Sequence, residues 1–338
     1  METVIDSFKK TINLEEVDKV LVIPLMAGWT ARFSGIPLET IIHDPESMVK
    51  AQIAAQETIG HDSLYAGVDP LFIPEAFGCA IGALSSGELN PTPLCIENPE
   101  DVDGLPVPDV RKDGRFPTML KAAEGLVSLP NRKLPVLSGL EGPFTTCARM
   151  IGTEKLMRAV MKNKPLVEKL LQTVEQTMSR YGRALEEVGV DALFVADPVG
   201  SSTMVSPKIY RELVFPTLQR FIAGLTIPVI LHVCGNTHPI VEIMAETDAS
   251  ILSFDQCMDL ARAKQQVAGH CGIGGNVDPI NALLYGTVED VKTDTLRCLR
   301  DGGNKGFILM TGCAVPPDTS VENLRAMVQT VKDAEVGR

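Results

Sequence analysis

Eight short β-rich runs recur along the chain, near residues 20–27, 64–68, 135–140, 192–196, 229–233, 251–254, 272–275 and 307–310. Segments of helical periodicity separate most of them, at 45–59, 154–160, 165–188, 207–224, 237–247, 281–284, 288–300 and 321–334. Strands that alternate with helices imply a parallel sheet covered by helices, and eight is the number that closes a (β/α)8 TIM barrel. A chain of 338 residues matches the length of one such barrel, so a single domain over 1–338 is expected. Residues 85–131, rich in Pro, Gly, Asp and Glu, break the rhythm and are expected to form an irregular insertion between the second and third strands.

Two of the runs carry chemistry. IPVILHVCG, starting at Ile227, and GFILMTGCA, starting at Gly306, are buried-type strands whose ends bear His232 and Cys234, and Cys313. In a barrel the C-terminal strand ends form the reactive face, where a strand holds a side chain rigidly and the following loop admits substrate. Period-two alternation points His232 and Cys234 to the same side, so one segment can offer both to a single ion. Two thiolates and one imidazole suit Zn²⁺, and three protein ligands leave the fourth position to substrate. Zinc with two thiolates is close to neutral, which makes it a poor activator of water but a good holder of a substrate thiolate. Against this stands the plainer reading of the H-x-C pair as one packed histidine and one packed thiol.

Other candidates divide between site and scaffold. Acidic residues close several strands: Asp69, Asp197, Asp255 and Asp278. Asp255 and Asp197 are expected to line the cavity and support the zinc ligands, whereas Asp278, before a proline, reads as a helix cap. His270 and Cys271 precede their strand and read as structural, His238 lies close to the zinc loop, and His43 is expected to be solvated. The eight cysteines, in a chain whose opening METVIDSFKK has no apolar signal segment, are expected to be thiols of a cytoplasmic protein, with Cys79 and Cys95 among those in the core or at the surface. No apolar run reaches the length of a membrane span. A net charge of −12 argues against a nucleic-acid partner, which needs clustered Lys and Arg.

LHVCGNT, SFDQ, GNVDP and LMTGCAVPPDTSVENLRAMV resemble the uroporphyrinogen decarboxylase superfamily, specifically its zinc-dependent methylcobamide:coenzyme M methyltransferase branch. The resemblance runs over most of the chain and is strongest from about 191 to 328. It implies that His232, Cys234 and Cys313 are zinc ligands, that a corrinoid protein is the partner, and that methyl passes from methyl-Co(III) to a zinc-bound thiol, coenzyme M in the first instance. Asp255 is then expected at the catalytic centre, and Asp197, Asn276 and Arg32 at cofactor or ligand contacts. Decarboxylases of the superfamily grip porphyrin carboxylates with an arginine-rich N-terminal segment, whereas MAGWTARFSG here offers only Arg32, a partner for a small sulfonate or carboxylate or else a solvated loop charge. Three alternatives stay open: methyl transfer in reverse, from a methylamine, methyl thioether or methoxy compound onto cob(I)alamin; a decarboxylase-like activity; and a non-catalytic barrel that docks a corrinoid protein. A zinc alcohol dehydrogenase shares the ligand types, but CGIGGN at 271–276 lacks the G-x-G-x-x-G spacing of a nicotinamide site.

Overall fold

The computed structural model describes residues 2–67, 69–83, 89–91 and 94–336. Eight parallel strands form one sheet: β1 (Leu21–Val22), β2 (Leu64–Ala66), β3 (Val136–Glu141), β4 (Ala192–Ala196), β5 (Val229–Val233), β6 (Ile251–Phe254), β7 (Gly272–Val277) and β8 (Phe307–Thr311). Their order is β1-β8-β7-β6-β5-β4-β3-β2, the sequential winding of a (β/α)8 barrel. Strands β3, β5, β6, β7 and β8 are buried along their whole length, as strands covered by helices on one side and a packed interior on the other must be.

The two ends of this order, β1 and β2, share no ladder. Asp62 bridges the seam instead: its backbone N–H donates to Val22 O at 2.9 Å, and its Oδ2 accepts from Val22 N at 2.9 Å. Gln52, from the helix Pro45–Ile59, accepts from Tyr65 N at 3.2 Å. Side chains therefore satisfy strand N–H groups that a neighbouring strand would otherwise bond. The expected strand at 20–27 shrinks to two residues because Pro24 has no N–H to give, and the chain then turns into a short 3₁₀ helix, Ala27–Thr30.

Glycine lets β7 lie close to its neighbours. A Cβ on Gly274 would meet Met310 Sδ at 2.7 Å, and one on Gly275 would meet Phe254 O at 2.9 Å.

The expectation for 85–131 needs correction, although 85–88, 92 and 93 lie outside the described residues. Residues Ile81–Ala83 and Leu89–Pro91 pair antiparallel, Pro99–Gly104 is a 3₁₀ helix, and Phe116–Val127 is a helix packed on β2 and β3. That helix buries Phe116, Met119, Leu120, Ala123 and Leu126, a 3–4 spacing hidden by the polar stretch before it. Cys79 and Cys95 are also corrected: they are joined in a disulfide at the edge of this segment, leaving six free cysteines. The helix expected at 237–247 is only Val241–Ala245, since Thr237 to Ile240 turn before it begins.

Candidate metal centre

His232 and Cys234 stand on and just after β5, and Cys313 just after β8, with one ligand atom from each lying within 4.8 Å of the others. His232 Nε2 is 3.2 Å from Cys234 Sγ, and the two sulfurs are 3.7 Å apart. His232 is 2% exposed, and its ring stacks on Phe194. Its other nitrogen, Nδ1, lies 3.1 Å from Ser253 Oγ on β6, the residue that pairs with it across the sheet. That contact orients the ring and leaves Nε2 toward the sulfurs, the arrangement by which metal-binding histidines are fixed.

The backbone around both thiols is pinned. Ser201 Oγ donates to Cys234 O at 2.6 Å, and Gly235 turns at φ +77° and donates its N–H to Asp255 Oδ2 at 2.9 Å. Thr311 Oγ donates to Cys313 O at 2.7 Å and accepts from Leu25 N at 3.0 Å. Gly312 must lack a side chain, because a Cβ there would lie 2.4 Å from Gln256 N. The hydrogen bond from Cys234, helped by His232, holds the Cys313 thiol below the usual thiol range, while the same contact and burial push Cys234 up. Both thiols would give up their protons on binding a cation.

The three residues open onto a cavity of about 230 Å³, walled by residues of β2 to β5, by the segment that follows β1 and by Gln52 of the Pro45–Ile59 helix. Leu137, Leu140 and Phe194 make part of its wall apolar, and the lack of a side chain at Gly139 lets Tyr65 lie against the backbone there. At Gly139 the space is taken by Tyr65, whose Oη would sit 1.9 Å from an added Cβ. Glu141 contributes a buried carboxylate, raised by desolvation and ion-paired with Arg149 at 2.9 Å.

The remaining expected residues fall outside the ligand cluster. Asp255 is buried and accepts from the N–H groups of Gly235 and Cys257, so it shapes the loop that follows Cys234. Asp197 is fully buried and does not line the cavity; its carboxylate caps the helix Pro143–Ile151 through Thr145 N, Thr145 Oγ and Phe144 N, and burial raises it to about 6. Asn276 is likewise spent inside the fold, donating to the carbonyls of Asp255 and Met258 at 2.9 Å each. Arg32 donates to the carbonyls of Pro317 and Thr319, tying down the segment beyond Cys313. His238 bonds Gln266 and Asp259 N, and His43 ends the helix Leu38–His43. Asp278 does cap its helix, accepting from Ile280 N and Asn281 N.

Sequence reading missed Ser253, although the parallel register of β5 and β6 places it opposite His232. It also missed His61, which is 2% exposed, lines the cavity, and has no hydrogen-bond partner at Nδ1 among the described residues. Burial pushes its ring down to about 3. No motif marks it; it stands just before β2, next to Asp62 at the β1–β2 seam.

Known proteins show the same architecture. The family model described as uroporphyrinogen decarboxylase (URO-D) matches residues 3–334. Methylcobamide:CoM methyltransferase MtaA of Methanosarcina barkeri is 29% identical over 84% of each chain. Methylcobamide:CoM methyltransferase MtbA of Methanosarcina mazei is 30% identical over 86% of this chain and 85% of its own. A solved methyltransferase from Methanosarcina mazei superposes with a TM-score of 0.90 at 26% identity, covering 99% of each chain.

Proposed function

This chain belongs to the uroporphyrinogen decarboxylase (URO-D) family, and within it we propose a corrinoid-dependent methyltransferase that transfers a methyl group to a zinc-bound thiol. The observation that carries this reading is the convergence of one imidazole and two thiols, all within 4.8 Å, on the wall of an internal cavity. The donor set fits zinc: two sulfurs and one nitrogen, a ring oriented from behind by Ser253, and a free side facing the cavity. Zinc held there by His232, Cys234 and Cys313 would supply a substrate thiol ionised at neutral pH.

The chain's own residues do the rest. Ser253 and Asp255 fix the direction of the His232 ring and of the turn after Cys234, so the ligand atoms need not reorganise. Phe194, Leu137 and Leu140 exclude water from the thiolate, which strengthens it as a nucleophile and confines it in one orientation. Its sulfur forms a bond to the methyl carbon while the Co–C pair stays on cobalt, so methyl-Co(III) leaves as Co(I). The corrinoid, carried by a partner protein, is presented at the mouth of the cavity on the C-terminal face of the barrel. Coenzyme M, the acceptor in the relatives' names, is the first thiol to assay. No helix among the described residues is long and apolar enough to cross a membrane.

The test is to mix zinc-loaded protein with free methylcobalamin and a thiol under anoxic conditions and follow the visible spectrum for cob(I)alamin. Thiol-dependent demethylation is expected. Zinc-loaded protein that methylates no thiol, yet loads methyl from methylamines or methoxy compounds onto cob(I)alamin, would reverse the direction.

A further inference from the structure

The lining of the cavity carries two polar groups. One holds His232, Cys234 and Cys313; the other, at the β1–β2 seam, gathers Thr30, Gln52, His61 and Ser63, each no more than 3% exposed. Gln52 links this second group by donating from Nε2 to Thr30 Oγ at 3.3 Å while its Oε1 accepts from Tyr65 N. Gln56 donates to the His61 carbonyl at 3.0 Å, which fixes the backbone of the histidine. His61 Nδ1 is left buried and unpartnered. A buried polar atom with no partner is destabilising, and a ligand that bonds it removes that cost.

The charge of the wall decides what kind of group belongs there. Among the described residues lining the cavity there is no Lys or Arg, and the single carboxylate, Glu141, already pairs with Arg149. An anion brought to the seam would be desolvated with no cation in the wall to meet it, which is unfavourable. A hydroxyl, ether or amide meets no such penalty and can exchange hydrogen bonds with a neutral imidazole and neighbouring hydroxyls.

We propose that the seam cluster of Thr30, Gln52, His61 and Ser63 is a specificity subsite that binds the uncharged, hydrogen-bonding tail of the acceptor thiol. The proposal rests on the methyl-transfer reading and narrows it: the preferred acceptor differs from coenzyme M, whose tail is a sulfonate. His61 and Gln52 hold the tail, while Leu137 and Phe194 in the same wall face its carbon stem.

Three thiols on the same two-carbon stem separate the possibilities: 2-mercaptoethanol with a neutral hydroxyl, ethanethiol with no polar tail, and coenzyme M with an anionic one. Binding to the zinc-loaded full chain is measured by calorimetry without a methyl donor, so the result stands whether or not methyl transfer follows. 2-Mercaptoethanol is expected to bind about tenfold more tightly than either of the others, the effect of one or two hydrogen bonds. In His61→Leu and Gln52→Leu its advantage over ethanethiol is expected to fall to about onefold. Tighter binding of coenzyme M, or equal binding of ethanethiol and 2-mercaptoethanol to the unmodified chain, overturns the subsite. Failure of methyl transfer with every thiol that binds overturns the methyl-transfer reading alone.

Discussion

Nδ1 of His232 lies 3.1 Å from Oγ of Ser253, across the β5–β6 ladder in which the two residues are direct partners. The sheet register itself therefore decides which ring nitrogen faces the two thiols. A hydroxyl behind a metal-binding histidine fixes both ring orientation and tautomer, and removal of such a partner lowers metal affinity by about 10–100-fold. Ser253→Ala is expected to weaken zinc binding within that range while leaving the fold intact, as read by competition with a chromophoric chelator and by circular dichroism. Unchanged zinc affinity would mean the ring is held by its packing on Phe194 alone.

Cys313→Ser removes one of three ligands at a site that is open on its fourth side. The variant is expected to remain folded, since Cys313 lies beyond β8 and not within its ladder, but to lose its bound metal and its thiol-dependent methyl transfer. Metal content and turnover measured on one preparation check both, and full activity in this variant would remove Cys313 from the centre.

The barrel interior accepts Tyr65 only because residue 139 has no side chain. Gly139→Ala would place a methyl 1.9 Å from Tyr65 Oη, and overpacking of this kind destabilises by about 1–3 kcal/mol. Urea unfolding should show that loss, and Tyr65→Phe combined with Gly139→Ala should restore part of it by removing the clashing oxygen. A Gly139→Ala variant as stable as the unmodified chain would contradict the placement of Tyr65.

His61 gives the protein an acid-sensitive element. Burial lowers its ring from 6.5 to about 3, so below pH 6.5 the unfolded chain takes up a proton that the native state does not. Native stability contributed by this residue is therefore intact above pH 6.5 and falls as the pH drops toward 3, by about 1.4 kcal/mol per unit at most. The difference in unfolding free energy between the unmodified chain and His61→Gln is expected to move by about 1.6 kcal/mol in favour of the variant between pH 6.5 and pH 5. A pH-independent difference would show that the histidine is solvated.

The strands that carry the ligands were legible because each is a short buried run bounded by turn residues, and the ligand types stand at the strand ends where a barrel exposes them. What the pattern could not show depends on contacts between distant segments. Asp197 and Asn276 look like cavity residues by position, yet each is turned into the fold by partners from elsewhere, Thr145 in one case and the β6 loop in the other. Arg32 is drawn to carbonyls almost 290 positions away along the chain. His61 gains its place from a seam that exists only when the sheet has curled so that Asp62 meets Val22. The Phe116–Val127 helix was obscured by composition, since the polar and proline-rich residues before it outweigh its own apolar spacing.

X-ray absorption at the zinc edge, recorded on the metal-loaded protein with and without an acceptor thiol, tests the central claim most directly. The expected result is two sulfurs and one imidazole nitrogen from Cys234, Cys313 and His232, with a further sulfur at about 2.3 Å when thiol is added. A shell that does not change on adding thiol, or a protein that binds no zinc, would contradict a zinc-held thiolate as the nucleophile.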